Sequence, residues 1–114
     1  MGAHGQLQGL GPHWELWAMA GDGGTGGALS PHAALRSATL WAADKIGFLP
    51  DLGSIEEGKL ADMVVLDANP LDDIHNSSSA RLVVKNGEIY DADTLNRIWP
   101  SEQPLSRFFW AEGQ

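Results

Sequence analysis

An Asn-Gly dipeptide in the second half of the chain joins two short apolar stretches and predicts a β-hairpin. Asn86 and Gly87 tolerate the positive φ angles that a type I′ turn requires, and they lie between residues 81–85 and 88–90. Residues 61–67 form another apolar stretch bounded by charge, which predicts a buried strand. Three or four strands can neither close a barrel nor complete a sandwich. We therefore expect this sheet to need partners that the chain does not obviously contain.

The first half of the chain has helical patterning. Residues 13–20 predict a short helix, and residues 31–46 predict a longer one that Ser30 caps. Alanines on the apolar stripe of the longer helix would allow close packing against a neighbouring element. Residues 53–55 predict a brief strand, and the chain after residue 91 is expected to be an irregular or weakly helical tail.

The composition excludes several classes of partner and site. The 114 residues include 15 acidic and 7 basic side chains, for a net charge of −8, which argues against nucleic acid or an anionic membrane as a partner. The absence of cysteine excludes disulfides, a thiolate nucleophile and a cysteine-bound zinc. No membrane span or signal peptide is predicted. A cytoplasmic location fits this composition.

Four histidines are the first candidates for chemistry. His4 lies in a glycine-flanked loop, where it suits a metal ligand or a general base, or equally a polar surface residue. His13 stands two positions from Glu15 on the short predicted helix, so the two side chains cannot chelate one ion. His32 and His75 are expected at the surface. Neither an HxH nor an HExxH motif is present, and a catalytic zinc needs three protein ligands.

Three separated blocks of sequence resemble the C-terminal segment of the amidohydrolase superfamily, in particular its imidazolonepropionase-like and prolidase-like hydrolases. The longest block is GSIEEGKLADMVVLDANPL at residues 53–71. TLWAADKIG at residues 39–47 precedes it, and VVKNGEIY at residues 83–90 follows it. The blocks occur in the family's order, and the resemblance is strong over residues 28–92.

The resemblance implies a composite fold of the kind found in metal-dependent hydrolases. The expected fold class is an α/β fragment that comprises the last helices of a TIM-type barrel and part of a small β-sandwich. Residues 1–50 would form the end of the barrel, with the loop after its last strand and its final helices. Residues 51–92 would supply sandwich strands, and residues 93–114 a C-terminal tail.

The resemblance also implies roles for two histidines. His4 aligns with a position after the eighth barrel strand, where relatives carry a catalytic aspartate, so it is the candidate catalytic residue. His13 aligns with a histidine that lines the substrate pocket. The parent family uses a divalent metal, with zinc the first candidate, to activate water for attack on a carbonyl. The family's HxH motif, bridging lysine and two further metal histidines are not in this sequence, so no metal ligand is assigned here and the chain itself need not carry a metal.

Two functions follow from these observations. In the first, the chain is the C-terminal portion of an amidohydrolase-like hydrolase that acts on C–N bonds of a small amide-type substrate. It would pack against the remainder of the barrel and would not be catalytic alone. In the second, the chain is a non-catalytic interaction module that forms a homo-oligomer through exposed strand edges and its five tryptophans. A weaker third alternative is a truncated product without a role of its own.

Overall fold

The computed structural model describes residues 9–21, 29–106 and 108. These residues form three α-helices, one 3₁₀ helix and four β-strands. In chain order they are α1 (Leu10–Met19), α2 (Pro31–Ala38), α3 (Leu40–Lys45), β1 (Met63–Leu66), the 3₁₀ helix (Ile74–Ser78), β2 (Ala80–Lys85), β3 (Glu88–Asp91) and β4 (Arg97–Trp99). None of the helices in these ranges is long and apolar enough to cross a membrane.

The four strands form one antiparallel sheet in the order β1-β2-β3-β4. The predicted hairpin is confirmed: β2 and β3 pair with Lys85 opposite Glu88, and the turn between them has φ 51° at Asn86 and 82° at Gly87. These two residue types adopt positive φ at low cost, which is why the turn forms at this point.

The sheet is less buried than its sequence predicts. The pairing places Met63, Val84 and Ile89 in one row across the sheet, and therefore on one face. None of the strand residues is fully buried, and Val64 in the strand predicted to be buried keeps 56% of its surface exposed. The strand predicted within residues 61–67 is confirmed as β1, but its predicted burial is wrong, because no second layer of the described chain covers β1.

Two further strand predictions need correction. Residues 53–55 form no strand and instead belong to the connection between α3 and β1. The chain after residue 91, expected to be irregular, contains β4, which pairs with β3. Backbone bonds between Arg97 and Gln103 then fold the following segment back onto β4. A three-residue strand is too short to give an alternating pattern, so its pairing partner determines it.

The single helix predicted for residues 31–46 is interrupted at Thr39. Its backbone angles, φ −123° and ψ −97°, are not helical, and its hydroxyl donates to the carbonyl of Leu35 at 2.9 Å. A threonine bonded to the carbonyl four residues earlier bends a helix. Gly53 packs at the same break, where a Cβ on this residue would lie 3.2 Å from the Thr39 carbonyl oxygen. The interruption therefore packs against the loop that follows α3.

The small apolar core lies among the helices. Its buried members are Leu16 of α1, Ala34 of α2 and Ile74 of the 3₁₀ helix. Partly buried apolar residues surround them: Trp17, Met19, Ala20, Leu29, Leu35 and Ala38. Helix α1 begins at Leu10, three residues earlier than predicted. The 3₁₀ helix thus connects the helical part of the chain to the strands that flank it.

Candidate functional site

The four histidines are distributed unevenly over the structure. His4, the candidate catalytic residue, lies outside the described residues. His32 is exposed in the first turn of α2, as predicted. His13 of α1 and His75 of the 3₁₀ helix both lie beside the Trp17 ring, with centroid distances of 6.4 Å and 4.6 Å. The structure therefore brings together two histidines that sequence reasoning treated separately.

Ser77 is the centre of this cluster. The residue keeps 5% of its surface exposed, and its side chain accepts a hydrogen bond from the Trp17 indole Nε1 at 3.0 Å. The Ser77 Oγ also lies 3.1 Å from the His13 Nδ1. The same indole N–H contacts the carbonyl of Ile74 at 3.1 Å. These bonds join α1 to the 3₁₀ helix across about 60 residues of sequence.

His75 and Asp73 form the other side of the cluster. The His75 Nδ1 lies 2.8 Å from an Asp73 carboxylate oxygen, and the His75 ring centroid lies 4.6 Å from that of Trp17. Asp73 also caps the 3₁₀ helix by accepting from the backbone N–H of His75 at 2.9 Å. This backbone bond, with the side-chain bond to His75, lowers the pKa of Asp73. Asp73 therefore fixes the orientation of His75 while it caps the helix.

Sequence reasoning missed Ser77 and Trp17. Ahead of the serine triplet at residues 77–79, the one signal for a short helix is Asp73, a typical N-cap residue. Nothing local distinguishes Ser77 from Ser78, which is exposed. Only the fold shows which serine contacts α1.

A second polar group stabilises the hairpin end of the sheet. Asp62 accepts from the Lys85 Nζ at 2.5 Å and from the Asn86 backbone N–H at 2.6 Å. The Lys85 bond, followed by the Asn86 bond, lowers the pKa of this carboxyl. At the same hairpin end, Glu88 lies opposite Lys85 and accepts from the Tyr90 hydroxyl at 2.6 Å, which raises the pKa of Tyr90. The contact of Asp62 with Lys85 is an ion pair, and that of Glu88 with Tyr90 is a hydrogen bond from a neutral hydroxyl.

The part of the chain covered by the structure offers no ready metal centre. Across residues 9–21, 29–106 and 108, no group of three or more histidine or acidic side chains is arranged to hold a metal ion. His75 and Asp73 form a contact of two such side chains. The His13 Nδ1 is occupied by Ser77 rather than aimed at another ligand.

Comparison with proteins of known sequence identifies the family. The model of the amidohydrolase family matches residues 16–90 of the chain. A 5-methylthioadenosine/S-adenosylhomocysteine deaminase from Teredinibacter turnerae is 32% identical over 84 residues, which are 72% of this chain and 18% of the deaminase. The chain spans less than a fifth of the length of the curated relatives that it matches.

Solved structures give the same result. A protein from Bifidobacterium longum, provisionally assigned as a prolidase, aligns with a TM-score of 0.59 and 33% identity over 86% of this chain and 20% of its own. A prolidase complexed with N-methylphosphonate-L-proline aligns with a TM-score of 0.54 and 34% identity, over 68% of this chain and 18% of its own. The resemblance seen in the sequence blocks is confirmed, and the chain belongs to the amidohydrolase family.

Proposed function

We propose that this chain is the C-terminal portion of an amidohydrolase-type hydrolase that acts on C–N bonds, and that it is not catalytic alone. The family match over residues 16–90 carries the proposal. The chain covers only a short part of its relatives. This supports the proposal that it is not catalytic alone, because most of a relative's length has no counterpart in these 114 residues.

The proposed place in the parent is the end of a barrel followed by sandwich strands. In this assignment residues 1–50 close the barrel, residues 51–92 contribute strands to the sandwich, and residues 93–114 form a tail. The exposure of β1 supports it, since a strand with Val64 half uncovered fits a sheet that packs against another layer. The remainder of the barrel is therefore the proposed partner.

The proposed substrate is a small molecule with a hydrolysable C–N bond. The curated relatives carry the names of deaminases and the structural neighbours those of prolidases. A deaminase removes an amino group from a ring carbon and a prolidase cleaves a peptide bond, so water replaces nitrogen on carbon in both reactions. His4 is the proposed catalytic residue of this chain, and His13 a residue of the substrate pocket. We place the parent enzyme in the cytoplasm.

Members of the amidohydrolase family are generally metal-dependent, and a divalent metal, with zinc the first candidate, would supply an activated water. The side chains of the described ranges do not fit such a centre, since they include no group of three ligands. We therefore derive no step of the reaction through a metal from these residues. The role that we propose for the described residues is to form the scaffold and to position the His13 side chain.

The test is a metal and activity measurement on the purified chain. We would load it with zinc or manganese, remove excess ion, and measure bound metal together with turnover of 5′-deoxyadenosine and of an Xaa-Pro dipeptide. The expected result is less than one metal per chain and no turnover. One equivalent of metal with turnover that a chelator abolishes would contradict the proposal.

A second candidate function is the homo-oligomerising module. Fourteen large hydrophobic side chains of the described ranges are exposed, with Ile55 at 86% and Ile46 at 66%, and such surface marks an interaction site. The coding sequence upstream separates the two candidates. An upstream coding sequence for a barrel with an HxH motif, in frame or in a neighbouring gene, favours the parent hydrolase. The absence of such a sequence favours the homo-oligomerising module.

A further inference from the structure

The hydrogen bonds of Ser77 determine which nitrogen of His13 carries the proton. An indole N–H can only donate, so the Trp17 Nε1 must use one lone pair of the Ser77 oxygen. The remaining side-chain contact of Ser77 is the one to the His13 Nδ1 at 3.1 Å. The hydroxyl proton of Ser77 therefore has the His13 Nδ1 as its acceptor within the described chain.

The opposite arrangement leaves a buried group unsatisfied. If the His13 Nδ1 carried the proton, the Ser77 oxygen would accept from two donors and its own proton would have no acceptor among the described residues. A buried hydroxyl without an acceptor loses its solvation with no compensation. When the His13 ring is neutral, the network consequently favours the tautomer with the proton on Nε2.

Within the described residues, the His13 Nε2 makes no assigned hydrogen bond. The ring is half-buried, and its contacts in the described chain are those with Ser77 and Trp17, so none involves Nε2. An Nε2–H group donates and cannot bind a metal through that nitrogen without first losing its proton. Its natural partner is a carbonyl or carboxylate oxygen.

We propose that Ser77 is a positioning residue that holds His13 in the Nε2–H tautomer, so that His13 acts as a hydrogen-bond donor to an acceptor oxygen rather than as a metal ligand or general base. We assign this oxygen to a substrate with a hydrolysable C–N bond, and this assignment rests on the proposed function. The tautomer itself is a property of this chain and does not depend on catalysis.

Long-range ¹H–¹⁵N correlation spectra of the ¹⁵N-labelled full chain test the proposal directly. At about pH 8.5 imidazoles are neutral, and a protonated ring nitrogen is readily distinguished from a bare one. The variant His13→Gln assigns the His13 signals by their disappearance. We expect Nε2–H in the unaltered chain, together with a Ser77 hydroxyl proton that exchanges slowly with solvent.

Three serine variants separate positioning from folding. Ser77→Ala is expected to lower the ratio of Nε2–H to Nδ1–H roughly fivefold, the effect of losing one ordinary hydrogen bond. Ser77→Thr keeps the hydroxyl and should restore the ratio. Ser78→Ala is the matched control, because Ser78 is exposed and donates to the His75 carbonyl instead. An Nδ1–H tautomer in the unaltered chain, or an unchanged ratio in Ser77→Ala, would overturn the proposal.

A zinc titration of the same labelled chain tests the donor role. With up to one equivalent of zinc chloride, the His13 Nε2 signal is expected to stay in place, whatever the other histidines do. A stoichiometric shift of the His13 Nε2 on adding zinc would show a metal ligand and refute the donor role. Because neither measurement uses turnover, a failed activity test of the proposed function would leave both results standing.

Discussion

At the scale of single residues, Gly53 is a position where the structure leaves no room for a side chain. Its φ is 99°, and a Cβ would lie 2.6 Å from the Ala43 Cβ and 3.3 Å from the Leu40 Cα. The Gly53→Ala variant combines overpacking with left-handed strain, and we expect it to lower the free energy of unfolding by about 3 kcal/mol. Urea denaturation of both proteins gives the value.

Gly58 is the matched control for this variant. Its φ is 91°, but nothing lies within 4 Å of a Cβ built on it. Gly58→Ala should therefore carry the backbone penalty alone, about 1 kcal/mol. Equal losses in the two variants would show that the contact of Gly53 with α3 contributes nothing.

The residues of the candidate site show what local sequence can and cannot predict. The helix of His13 was predictable from its apolar spacing, and the surface position of His32 from its place in a first turn. The contact between His13 and Ser77 was not, because the two residues are 64 positions apart and only the folded chain brings them together. The Trp17 indole bond to Ser77 spans 60 positions and was not predictable for the same reason.

At the scale of elements, turn chemistry was the most predictive signal. The prediction of a hairpin at Asn86–Gly87 was correct because these two residue types adopt the backbone angles of the turn without help from distant parts of the chain. The break at Thr39 and the strand at residues 97–99 were missed because their causes are distant. Gly53 meets the helix break from the next loop, and β4 exists through its pairing with β3.

The hairpin should respond to acid through Asp62. The bonds from Lys85 and Asn86 lower the pKa of Asp62 in the folded state, so its ionised form favours folding. This contribution is complete above the pKa of the unfolded chain, about 3.9, and is lost as the pH falls through the lower folded pKa. We expect the stability of the unaltered chain to fall more steeply than that of Asp62→Asn between about pH 5 and pH 2.

Urea denaturation at several pH values compares the two proteins. Lowered pKa values are also found for four other carboxyl groups, those of Glu56, Asp73, Glu88 and Asp91. These groups contribute equally to the unaltered protein and to Asp62→Asn. The difference between the two curves therefore belongs to Asp62. If stability fell with pH equally in both proteins, the bonds of Asp62 with Lys85 and Asn86 would not form in solution.

At the scale of the whole molecule, the balance of buried and exposed surface is the dominant feature. Four hydrophobic residues are buried in the described ranges, and two of them are alanines. Small cores of this kind supply little stability. The strands add no buried residue, so a stable state is expected to cover the exposed apolar side chains with another layer.

Self-association of the isolated chain is the direct consequence. Sedimentation velocity at several protein concentrations should show dimers or larger species whose share rises with concentration. Replacing the 86%-exposed Ile55 by Ser should reduce that share, whereas Glu57→Ser, at a neighbouring exposed charge, should not. A compact monomer at every concentration would remove the need for a partner.

The size of the native species that contains this sequence tests the central proposal most directly. An antibody raised against residues 63–91 would be used on extracts of the source cells, resolved by gel filtration and by denaturing electrophoresis. We predict either a polypeptide several times longer than 114 residues or a stable complex with a barrel polypeptide, in each case co-eluting with C–N hydrolase activity. A free 12.2 kDa chain, or an oligomer of that chain alone, would contradict the proposal.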